Sequence, residues 1–103
     1  MSPAFGLDDA TVSTIRHIVG KFAEINKAVI YGSRAKGNYH EGSDIDLALF
    51  GAISTKTVSD VLDAVEESYL PYTFDISAYN SLKNDRLREQ IDRVGKVIYR
   101  SAH

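Results

Sequence analysis

Apolar residues recur at spacings of three and four in Val12, Ile15, Val19 and Phe22, the period that lines one face of a helix. Asp8 and Asp9 stand just ahead of them, where the positive end of a helix favours carboxylates. Ala28-Val29-Ile30-Tyr31 then forms a short β-branched run stopped by Gly32-Ser33, which predicts a buried strand entering a tight turn. Asp44 to Phe50 predicts a second strand, closed by Gly51, and Val58, Val61, Leu62 and Val65 return to the helical period. Pro71 stops that helix from continuing. Tyr72 to Ser77 predicts a third strand, Leu87, Ile91 and Val94 the stripe of a helix ended by Gly95, and Lys96 to Tyr99 a last short strand. The sequence of elements predicts an α/β (α+β) domain, a small mixed sheet flanked by helices. Pattern alone leaves the strand order open.

At 103 residues, with no Pro/Ser-rich linker or repeat, the chain reads as a single domain over 1–103. Hydrophobic residues make up 44% and charged residues 25%, which excludes a disordered or collagen-like chain. Twelve Lys plus Arg against 14 Asp plus Glu leave a net charge of −2. No overall positive field exists to draw in DNA, RNA or anionic lipid, so direct nucleic-acid binding is not expected. The absence of cysteine excludes a disulfide framework, thiolate zinc and a cysteine nucleophile. Acids in MSPAFGLDDA occupy the place where a secretory signal needs basic and then apolar residues. With no apolar stretch long enough to span a membrane, the expectation is a cytoplasmic protein without a membrane partner.

The candidate chemistry begins with carboxylates. Side chains of a strand alternate between faces, so Asp44 and Asp46 are expected on one face and Ile45, Leu47 and Leu49 on the other. Two residues along a strand span about 6.5 Å, close enough for two short carboxylates to share a divalent cation. Mg²⁺ suits such hard oxygen ligands and keeps room for substrate phosphates. Asp is depleted in strands and like charges on one face repel, so mere solvation gives this pattern no return. Asp75 lies in Tyr72-Thr73-Phe74-Asp75-Ile76-Ser77, on the polar side of an alternating strand. If that strand lies beside the Asp44/Asp46 strand with polar faces aligned, three carboxylates meet. The other acids, Asp60, Asp63, Glu66, Glu67, Asp85, Glu89 and Asp92, fall between apolar positions of predicted helices and read as solvated faces.

Gly32-Ser33-Arg34-Ala35-Lys36-Gly37 is rich in small residues, so its backbone can approach a phosphate, and Ser33 can cap a short helix. Locally, an ordinary capped turn fits the same residues equally well. Ten residues separate Ser33 from Asp44, enough for a helical turn and a loop to bring cradle and acids together. Arg34 and Lys36 add donors for a polyphosphate. The segment lacks the Lys-Ser/Thr ending of a Walker A loop and the glycine spacing of a dinucleotide fingerprint. His17, His40 and His103 lack metal-ligand spacing, and only His40 is near the acids.

The run from Gly32-Ser33 to Asp44-Ile45-Asp46-Leu47 resembles the signature of the DNA polymerase β-like nucleotidyltransferase superfamily: Gly-Ser, a spacer, then Asp-apolar-Asp-apolar. In length the chain is similar to its minimal nucleotidyltransferase (MNT) group, whose members commonly pair as antitoxins with helical HEPN toxins. The resemblance implies a polymerase β-like fold, with Asp44 and Asp46 as metal-binding acids and Asp75 as the third. It implies that Asp75 is either general base or metal ligand. Gly32 and Ser33 match the pair that holds nucleotide phosphates, Ser43 a serine near the acids, and Arg34 and Lys36 fall where triphosphate contacts are expected.

The activity implied is Mg²⁺-dependent transfer of AMP, or another NMP, from ATP to a hydroxyl of a protein partner, a HEPN toxin. An alternative from another class is a non-catalytic, nucleotide-binding antitoxin that neutralises a HEPN ribonuclease by contact. Transfer to a small molecule such as an aminoglycoside is a third. Because the additional helical domain of larger relatives is missing from these residues, the resemblance implies that a homodimer or a helical partner completes the site. Tyr69-Leu70-Pro71-Tyr72-Thr73-Phe74 and Tyr79 are candidates for that contact or for core filling.

Overall fold

In the computed structural model, which describes residues 7–37, 40 and 42–101, helices and strands follow the predicted order. They are α1 (Asp9–Val19), β1 (Ile25–Tyr31), α2 (Ser33–Lys36), β2 (Ile45–Gly51), α3 (Thr55–Glu67), β3 (Phe74–Ala78), α4 (Asp85–Val94) and β4 (Lys96–Arg100). Asp8 caps α1, its carboxylate accepting the Thr11 N–H at 2.8 Å. The helix closes at Gly20, so Phe22 lies in the following turn, while still packing on the core. Ser54 caps α3 and Asn84 caps α4 through their side chains. Among the described residues, no helix is long and apolar enough to cross a membrane.

The four strands form one mixed sheet in the order β3-β2-β1-β4. β1 runs antiparallel to both β2 and β4, whereas β2 and β3 are parallel, α3 supplying the crossover that a parallel pair requires. β1 starts at Ile25 rather than at Ala28, because Ile25 pairs with Gly51 ahead of a register shift. β2 starts at Ile45, one residue later than the pattern predicts, and β3 starts at Phe74 rather than Tyr72. The Ile45 N–H is bonded to the Thr73 carbonyl at 2.9 Å, so Asp44 enters the sheet from its rim.

Both faces of the sheet are covered. On one, Ile15 and Val19 of α1 and Val61 and Val65 of α3 pack against Ile30, Leu47 and Leu49. These strand residues are fully buried, which at roughly 25 cal/mol per Å² makes this layer the main source of stability. On the other, Ile91 of α4 packs on Val29, Tyr31 and Ala48, with Phe50, Tyr79, Leu82 and Leu87 around it. The Phe50 and Tyr79 rings stack at 4.3 Å, and the Tyr79 hydroxyl donates to the Asp92 carboxylate. Asp46 lies on this second face by alternation with Ala48 and Phe50.

Candidate active site at the acidic end of the sheet

Three strands deliver their polar residues to one row. Asp46 of β2 is in register with Tyr31 of β1 on one side and with Asp75 of β3 on the other. The alignment expected of the third strand is therefore present, and the parallel pairing supplies it. Asp46 is half-buried, whereas Asp44 and Asp75 are exposed. Burial, and then the charges of Asp75 and Asp44, raise the Asp46 carboxyl above the usual aspartate range. A site that raises an acid in this way gathers negative charge where a cation would relieve it.

The turn after β1 closes against this carboxylate. Gly32 has φ +74°, a conformation that side chains resist, and a Cβ placed there would overlap Asp46 Oδ2. Glycine is thus needed twice, for its backbone angle and for the space that Asp46 fills. Gly32 also occupies the cap position of α2 without a side-chain bond, and Ser33 is the first helical residue. The expectation that Ser33 caps the helix is corrected accordingly: its half-buried side chain stands within the first turn, whose leading N–H groups have no intrahelical acceptor. Gly37, at φ +88°, ends the helix in the left-handed conformation.

The remaining predicted residues divide. Lys36 is exposed at the end of α2. Arg34 is only 3% exposed, and its Nε and Nη2 donate to the Ser43 carbonyl at 3.3 and 3.0 Å. Its guanidinium lies 5.2 Å from the centre of the Tyr72 ring, within cation–π range. Ser43 is half-buried, and its hydroxyl accepts the His40 N–H at 2.9 Å while its own N–H donates to the His40 carbonyl. Of the aromatic stretch, Tyr72, Phe74 and Leu70 pack against the core, and Tyr69 is 91% exposed. A groove of about 530 Å³ runs beside them, lined by Leu62, Val65, Tyr69, Tyr72 and Phe74 among others. His103 falls outside the described residues, and His17 and His40 are exposed.

Tyr31 is a member of this row that the pattern of residues did not single out. Its phenol is 4% exposed and is pushed up chiefly by burial; Asp75 and Asp46 add to the rise, and a hydrogen bond with Ser77 opposes it. Its position directly before Gly32-Ser33 was visible, but its meeting with Asp46 depends on the β1/β2 register.

The donor set suits a hard divalent cation: carboxylates at Asp44, Asp46 and Asp75, with charge crowded on Asp46. Among the described residues, no three His, Cys, Asp or Glu side chains already converge as a metal cage. Carboxylates on the rim of a sheet, beside a glycine turn that opens a helix, can hold a cation and a phosphate side by side.

The family described as "Polymerase beta, Nucleotidyltransferase" matches residues 13–103. No curated relative matches this chain. Among solved structures, a toxin–antitoxin complex with AMP-PNP superposes with a TM-score of 0.73 at 19% identity, covering 88% of this chain and 74% of that one. The toxin–antitoxin MntA-HepT gives 0.69 at 15%, covering 91% and 74%. A tri-AMPylated Shewanella oneidensis HEPN toxin in complex with MNT antitoxin gives 0.67 at 16%, covering 89% and 71%. At these identities the likeness is one of fold.

Proposed function

We propose, on the premise that the chain belongs to the polymerase β nucleotidyltransferase family, that it transfers AMP from Mg-ATP to a hydroxyl of a HEPN-type protein partner and acts as its antitoxin. The observation that carries this reading is the register of Asp46 with Asp75, with Gly32 packed against the Asp46 carboxylate. The similarity to antitoxin complexes, one with AMP-PNP and one with a tri-AMPylated toxin, supports the choice of nucleotide and acceptor.

In the reaction, the Gly32-Ser33 turn receives the phosphates on its backbone, and exposed Lys36 is placed to balance their charge. Asp44 and Asp46 are the carboxylates that would hold the Mg²⁺, with Asp75 either a further ligand or the proton acceptor. A cation bound there supplies Lewis-acid neutralisation at the α-phosphate. The acceptor oxygen forms a bond to the α-phosphorus, the bond between that phosphorus and the α,β-bridging oxygen breaks, and pyrophosphate leaves. As base, Asp75 takes the hydroxyl proton, for which its exposed carboxylate on the open edge strand is accessible to an incoming protein.

The test is label transfer from ATP marked at the α-phosphate to a co-expressed HEPN partner. Wild type is expected to label the partner, and Asp46→Asn to lose roughly 10³-fold or more in rate, about 4 kcal/mol of transition-state stabilisation. Label arriving from the γ-phosphate instead would replace nucleotidyl by phosphoryl transfer. Full neutralisation of the toxin by folded Asp46→Asn would assign the antitoxin effect to contact alone.

A further inference from the structure

Arginine in a Gly-Ser-Arg turn reads most simply as a phosphate donor, but the guanidinium of Arg34 faces inward. It is 3% exposed, a costly place for a charge unless its hydrogen bonds and surroundings compensate. Among the described residues, two other segments contribute to that compensation. Nε and Nη2 together grip the Ser43 carbonyl, the peptide that leads directly into Asp44. The guanidinium carbon lies 5.2 Å from the ring centre of Tyr72, the residue before Thr73, whose carbonyl takes the Ile45 N–H and so starts the β2/β3 ladder. Arg34 itself belongs to α2, one residue after Ser33 of the phosphate turn.

We infer that Arg34 is the positioning residue of the site, one buried guanidinium that sets the phosphate turn, the Asp44/Asp46 entry and the start of the Asp75 strand at fixed distances from one another. The inference rests on the nucleotidyl-transfer reading for its consequence in rate, though not for its consequence in structure. Only arginine can do this. Two donors in a planar fork reach one carbonyl while the charge stays within cation–π range of an aromatic ring, and lysine, a point charge on a flexible stem, lacks the fork. A misplacement of about 1 Å between reacting groups costs on the order of 10²-fold in rate, so the clamp acts on turnover more than on nucleotide affinity.

The experiment compares Arg34→Lys, Tyr72→Leu and Tyr72→Phe with wild type by two readouts. The first is amide hydrogen exchange of the free protein; Arg34→Lys is expected to speed exchange at Ser43 and Ile45 by about tenfold, with central β1 unchanged. The second is steady-state transfer, where kcat is expected to fall about 10²-fold with KM for Mg-ATP altered less than about threefold. Tyr72→Leu should move both readouts in the same direction by less, and Tyr72→Phe, which keeps the ring, should match wild type. If Arg34→Lys does not fold, the Tyr72→Leu and Tyr72→Phe pair carries the test. Unchanged exchange at Ser43 and Ile45 overturns the inference, and unchanged exchange with a loss confined to KM identifies Arg34 as a phosphate contact instead. Absence of transfer in wild type sinks the proposed function, while the exchange measurement still decides the role of Arg34.

Discussion

One strand, β2, shows two faces with opposite purposes. Ile45, Leu47 and Leu49 point into a layer sealed by α1 and α3 and are fully buried. Asp46, Ala48 and Phe50 point the other way, where the α4 cluster covers Ala48 and Phe50 and Asp46 is left half-buried among other acids. Burying apolar surface stabilises the first face. Crowding carboxylates into partial burial destabilises the second. The contrast teaches that the sealed face holds the strands rigid enough for the other face to keep charges together that would otherwise separate.

Substitutions on the two faces should therefore separate stability from activity. The largest loss of stability is expected for Leu47→Ala, about 2–5 kcal/mol from lost burial and the cavity left behind, read as a lower denaturant midpoint. Transfer measured well below its melting temperature should survive, since Leu47 faces away from the acids. Gly32→Ala should cost less, about 1–3 kcal/mol for the left-handed backbone, yet abolish transfer because its methyl displaces the Asp46 carboxylate. Preserved transfer in that variant would remove Gly32 from the site.

The smallest effect on folding is expected for Asp46→Asn, and its sign is opposite. The Asp46 carboxyl is raised in the fold, so the folded state holds its proton more tightly than the unfolded chain. Its favourable contribution is present at low pH and is lost as pH rises through the folded value, leaving a strained anion at neutrality. Without divalent cation at pH 7, Asp46→Asn should melt slightly above wild type, and the gap should close as pH falls toward the unfolded aspartate value. Thermal melts across that range check it, and a variant less stable at pH 7 would contradict the crowding of charge at Asp46. Added Mg²⁺ should raise the wild-type melting temperature and leave the variant's unmoved.

Much of this was legible along the chain. Helical spacing located α1, α3 and α4, alternation placed Asp46 opposite Leu47, and Gly32-Ser33 with Asp44-Ile45-Asp46 marked the family to which residues 13–103 belong. Errors of one to three residues at strand starts came from pairing: Asp44 lies outside β2 because the ladder opens with the Ile45 N–H on Thr73. Arg34 was legible as a cation and not as a buried one. No local signal distinguishes an arginine aimed at a phosphate from one folded onto a carbonyl nine residues ahead and a ring further on.

The sequence by itself determined which segments become helix or strand and which side chains share a face, since steric preference and periodicity act over a few residues. The tertiary structure alone decided that β3 lies parallel to β2 with Asp75 against Asp46, that Tyr31 joins them, and that Arg34 turns inward. Register and the burial of charge are settled by packing between distant segments, where the balance of desolvation and contact is made only once the sheet and its helices have closed.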